Sequence, residues 1–173
     1  MKIINCVKGI YEEDINMLLS KLISLKIDKF NQIEDVYLEN NSNLKYPFYR
    51  VEEKKITLTI KKFFSPQVIY QLSHEVMHHI IYQLKGKTKT YDGKVSKATE
   101  SFCTAFSFFI INEFGWDEYL KNEIKGLKEE NTLYYEYRNE IFFLFEELKH
   151  NPLQINKLIY ETIKKWNLES GKS

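Results

Sequence analysis

The apolar residues of this 173-residue chain change their rhythm near residue 63. Before that point several short runs alternate by twos. After it they recur only at the three- and four-residue spacing of a helix face. Such a chain is expected to segregate its strands from most of its helices, which is an α+β architecture. Ile3–Val7 is a short strand candidate closed by Gly9, and residues 11–27 carry Ile15, Leu18, Leu22 and Leu25 on one helical stripe. Asp35–Glu39 reads as a second strand, ended by an Asn-rich turn at 39–43. Tyr49 and Val51 lead into a Glu-Glu-Lys-Lys turn, and Ile56, Leu58 and Ile60 then alternate with Thr57 and Thr59. That is the pattern of a hairpin with one apolar face. Its second strand is read as a sheet edge, open to pairing with an extended peptide.

The helical part is clearly punctuated. Ser65 can cap a helix that starts at Pro66, where a missing N–H does no harm. Val68, Ile69, Leu72, Val76, Ile80 and Leu84 give it a broad apolar stripe, and Gly86 can close it. After a polar loop at 87–94, a second helix runs from near Ser96 to Gly115, and further helical stretches span roughly 117–128, 132–149 and 152–167. Asn151-Pro152 supplies a cap and proline start for the last of them. No linker divides the chain, so one domain over 1–173 is expected: an α/β part (1–62), a pair of helices (63–116) and C-terminal helices (117–173).

Inside the first of these helices stands His74-Glu75-Val76-Met77-His78. Residues four apart on a helix differ by only about 40° in direction, so both imidazoles lean the same way and can grip one metal ion. Zinc accepts two such nitrogens and leaves room for a third protein ligand and a water. Glu75 lies beside the first histidine, near enough to take a proton from a metal-activated water as general base without occupying the metal. The plainer reading is a solvated polar face on a helix whose other side packs the core.

A third ligand has to come from elsewhere. A metzincin would carry another histidine shortly after His78 in a glycine-bearing extension, and His-Ile-Ile-Tyr-Gln-Leu-Lys-Gly lacks it. Asp92 and Glu100 are the principal acids, with Glu113 behind them. Asp92 sits in a Tyr-Asp-Gly turn, whereas Glu100 lies in the first turns of the next helix and can be held rigidly. Glu113 falls about 19 Å further along that helix. Glu100 is therefore preferred, against the alternative that it is an acid favouring the helix dipole.

The runs Ile56-Thr-Leu-Thr-Ile60, Leu72-Ser-His-Glu-Val-Met-His78 and Glu100-Ser-Phe-Cys-Thr-Ala-Phe106 resemble the ImmA/IrrE-type minimal gluzincins. The resemblance spans about fifty residues. It implies a zincin-like metallopeptidase fold, with a small N-terminal sheet and hairpin before a mainly helical C-terminal half. It also implies a zinc ion held by His74, His78 and Glu100, with Glu75 as base. The expected activity is peptide-bond hydrolysis, with a regulatory protein as substrate. Four residues after the ligand glutamate the family often has Asn, and related peptidases have Asp; this chain has Thr104, whose hydroxyl could still bond a ligand histidine. A second reading keeps the gluzincin fold as a catalytically weak or inactive binding protein with a structural metal.

Other features are bland. Lys plus Arg (25) nearly balances Asp plus Glu (24), so nucleic acid is not an expected partner. The start, Met-Lys-Ile-Ile-Asn-Cys-Val-Lys, is too short for a secretory core, and the longest apolar stretch, 102–111, is about half a membrane span. A cytoplasmic protein without membrane partners is expected. Cys6 and Cys103 read as buried thiols. His79 points about 100° away from His78 and reads as a surface residue or a support to the ligands rather than a ligand itself. His150 reads as a helix-end cation or cap, and Phe106, Phe108 and Phe109 as core. Tyr82, Tyr91, Tyr134, Tyr135, Tyr137, Arg138 and His150 are all able to donate to an oxyanion, and the sequence does not choose among them.

Overall fold

Parallel pairing of β1 (Ile3–Asn5) with β2 (Val36–Asn40) obliges the chain between them to cross over, and α1 (Glu12–Ser24) lies within that connection. The computed structural model describes residues 1–7, 11–86, 96–128 and 135–170. Its contacts divide the chain into two compact units, Met1–Thr88 and Lys89–Ser173.

In the first unit, β3 (Phe48–Arg50) and β4 (Lys55–Leu58) form the expected hairpin, with Tyr49 opposite Ile56. The sheet order is β1-β2-β4-β3, so β4 is not the edge that its sequence suggests. Leu38 lies in register with Ile56, and both are fully buried; sharing one apolar face draws β2 alongside β4 in parallel. The edge passes to β3. Beyond the end of β4, the side chain of Asn40, the last residue of β2, continues the pairing, accepting the Ile60 N–H (2.8 Å) and donating to the Ile60 carbonyl (3.0 Å). The threonines expected to face solvent are buried as well: Thr57 donates to Glu39 (2.7 Å), and the Thr59 N–H donates to Gln71 (3.0 Å).

α2 (Ser65–Lys85) packs on β4, β3 and α1 through the predicted stripe, and Gly86 ends it at φ 80°. Its cap differs from expectation. The helix opens with Ser65 itself after Phe64, and the Ser65 hydroxyl is given to the carboxylate of Asp14 in α1. Asp14 is buried, and its Oδ2 has no partner among the described residues. Burial pushes this carboxyl above the usual carboxylate range, helped by the neighbouring Glu13 charge and opposed by the Ser65 hydrogen bond. A raised folded value means that the folded state binds more protons than the unfolded one, so stability falls as pH rises from the ordinary aspartate value through the raised one. Asp14→Asn, which keeps an acceptor for Ser65, is therefore expected to raise the melting temperature at pH 7. The scale is about 2–4 °C per kcal/mol for a chain of this size, and the gain should vanish in acid. Melting curves across pH test this; a gain that persists in acid would refute the role assigned to the charge.

The second unit is helical throughout its described residues: α3 (Lys97–Glu113), α4 (Asp117–Leu127), α5 (Arg138–His150) and α6 (Ile155–Ser170), with short 3₁₀ turns before α5 and α6. α3 contacts α4, α5 and α6, and Phe102, Phe106, Phe108 and Phe109 are wholly buried, as expected for a helix that is apolar nearly all round. It begins near Ser96 as predicted, and the Ser96 side chain caps it, accepting the Thr99 N–H. The Ser96 hydroxyl also donates to Glu169 (2.7 Å) and Ser101 donates to Glu140 (3.3 Å), fastening the turn that carries Glu100. Asn151 starts the last stretch without using its side chain as a cap. Cys103 is buried, but Cys6 is exposed just after a three-residue strand, and among the described residues neither forms a disulfide. Among the described residues, no helix is long and apolar enough to cross a membrane.

Candidate metal centre

α2 carries His74, Glu75 and His78 in uninterrupted helix, with His74 and Glu75 buried and His78 partly so. The rings of the two histidines meet at 66° with centroids 4.8 Å apart, and their Nε2 atoms converge to 3.1 Å. Two nitrogens bound to tetrahedral zinc at about 2.0–2.1 Å stand about 3.3–3.4 Å apart, so the pair fits with a shift of a few tenths of an ångström. Ligand atoms of His74, His78 and Glu100 all lie within 4.8 Å of one another, and this cluster could hold a metal ion. One imidazole pair and one carboxylate is a donor set that zinc accepts, leaving a fourth position open. Glu75 stands one residue from His74 and is outside the cluster.

The rejected acids divide. Glu113 ends the same unbroken α3, thirteen residues or about 19 Å from Glu100. Asp92 lies outside the described residues, as do Tyr91 and Tyr134. Thr104, one turn after Glu100, is buried, and its hydroxyl has no hydrogen-bond partner among the described residues. The contrast with its neighbours is informative. Ser107 and Thr162 each donate to the carbonyl four residues back, the fallback available to any helical hydroxyl, and Thr104 does not take it.

His79 is not at the surface. It is fully buried, with Nε2 2.9 Å from the Glu34 carbonyl and Nδ1 2.8 Å from the Tyr49 hydroxyl. A carbonyl only accepts, so Nε2 carries the hydrogen. Burial holds the imidazole below its usual pKa, which keeps the ring neutral and makes Nδ1 the acceptor for Tyr49. The Glu34 carboxylate meanwhile receives Gln83 (3.3 Å) and Lys54 (2.8 Å). Gln71 grips Thr59 from one turn before His74. The sequence reading missed Gln71, Tyr49 and Glu34. The available signal was Gln71 itself, a polar residue between the apolar Val68-Ile69 pair and Leu72.

Of the oxyanion candidates, Arg138 donates to the Tyr135 carbonyl and lies over its ring, and Lys97 lies over the Tyr137 ring. His150 is exposed and bonds the Glu146 carbonyl at the end of α5 (2.7 Å), the helix-end role expected of it. Compared with known proteins, the chain matches no family model, no curated sequence and no solved structure.

Proposed function

We propose that this chain is a zinc-dependent peptidase with a zincin-like fold of the ImmA/IrrE gluzincin kind. The observation that carries the reading is the convergence of His74, His78 and Glu100, with Glu75 next to the first of them on the same helix. Zinc bound there would supply Lewis-acid polarisation of a carbonyl and a lowered pKa for water. His74 and His78 would hold it through Nε2, and Glu100 would close the protein's share of the coordination. Glu75 takes the proton of the attacking water and returns it to the departing amine, which requires a carboxylate and cannot be done by an amide. The substrate is a peptide or protein, with a regulatory protein as the first class to examine.

A second reading is favoured by Thr104. The chain would then be a binding protein with a structural metal. One experiment separates the two. Zinc-loaded protein is incubated with a complex peptide mixture, and new termini are identified by mass spectrometry. Cleavage that stops on chelation and returns with added zinc supports the peptidase; intact peptides beside about one bound zinc favour the binding protein.

A further inference from the structure

Glu75 does not stand alone on its side of α2. Gln71 and His79 lie four residues before and after it, so the three share one helical stripe. Each flanking side chain grips the sheet. The Gln71 oxygen accepts the Thr59 N–H (3.0 Å) and its nitrogen donates to the Thr59 hydroxyl (3.2 Å). His79 bridges the Glu34 carbonyl and the Tyr49 hydroxyl. Both side chains are more than nine-tenths buried, an expensive place for polar groups unless every bond is made.

The two grips are matched in length. From Gln71 to His79 the helix rises about 12 Å. Tyr49 lies opposite Ile56, and from Ile56 to Thr59 the strand advances about 10 Å. α2 therefore runs antiparallel to this strand, with Glu75 midway between two fixed points. We infer that Gln71 and His79 are positioning residues that set where the Glu75 carboxylate stands along the strand. The inference rests on Glu75 acting as the base.

The test uses the full chain, with acetohydroxamate as a zinc-seeking probe that passes a proton to a neighbouring base. Gln71→Met keeps the side-chain volume and removes both bonds. It is expected to speed hydrogen exchange at the Thr59 amide by about tenfold or more in the metal-free protein. In the zinc-loaded protein it should weaken acetohydroxamate by about tenfold or more while zinc affinity stays within about threefold, because small displacements of a reacting group are costly. Tyr49→Phe deletes a single hydroxyl and should weaken the probe by about two- to fivefold; it carries the test if Gln71→Met does not fold. Unchanged exchange at Thr59 in Gln71→Met, or probe affinity that merely follows zinc affinity in either variant, overturns the inference. Glu75→Gln guards the premise: if that variant binds acetohydroxamate as the wild type does, Glu75 is not the base, and both the peptidase reading and this inference fall.

Discussion

Glutamine in place of Glu75 is expected to reduce peptide hydrolysis by about two to four orders of magnitude, the usual contribution of a positioned acid–base group, with about one zinc ion still bound. The two side chains have nearly the same shape, so the buried position between Gln71 and His79 is filled as before. What changes is the capacity to accept a proton. Glu75 is outside the three-residue cluster, so the metal loses no ligand. Turnover of a cleaved peptide, measured beside zinc content by mass spectrometry, gives both readouts on one sample. A variant that retains its rate with zinc bound would sink the peptidase reading and leave the metal site standing.

His78→Ala should have the opposite signature. It removes one of the two converging nitrogens, and four-ligand structural zinc sites are worth about 10–16 kcal/mol in total. One ligand's share is then about 2.5–4 kcal/mol, which lowers zinc affinity by about two to three orders of magnitude. Stability should follow by mass action. Zinc at a thousandfold excess over its dissociation constant stabilises the wild type by about 4 kcal/mol, and the same zinc concentration does far less for the variant. Titrating zinc while following thermal unfolding measures both. Equal zinc-dependent stabilisation of the two proteins would mean that the ion binds elsewhere.

The parts of this arrangement that could be read from the sequence are those fixed locally. Ser96 caps α3, Gly86 and Gly115 take positive φ at helix ends, and the four-residue spacing of His74 and His78 brings their nitrogens together once α2 exists. Long-range choices were not legible. Nothing in Ile56–Leu58 states that β2 will arrive on its second side, because parallel partners are selected by face matching across a crossover. Ser65 has the right chemistry for a cap, but Asp14 outbids its own helix. His79 points away from the ligands, which leaves a surface place or a supporting one equally open; only the folded chain reveals a carbonyl and a hydroxyl waiting on that side.

The Asn40 carboxamide has an effect beyond local pairing. A strand that outruns its neighbour leaves bare N–H and C=O groups, and such groups recruit extended segments from other molecules. At Ile60 both are occupied by Asn40, and at Thr59 the N–H is occupied by Gln71. The backbone just before the exposed Phe63 and Phe64 is thus closed to templating by a second copy. Two amide side chains occupy backbone groups of this stretch, and the exposed Lys61 and Lys62 that follow add charge against the same kind of association.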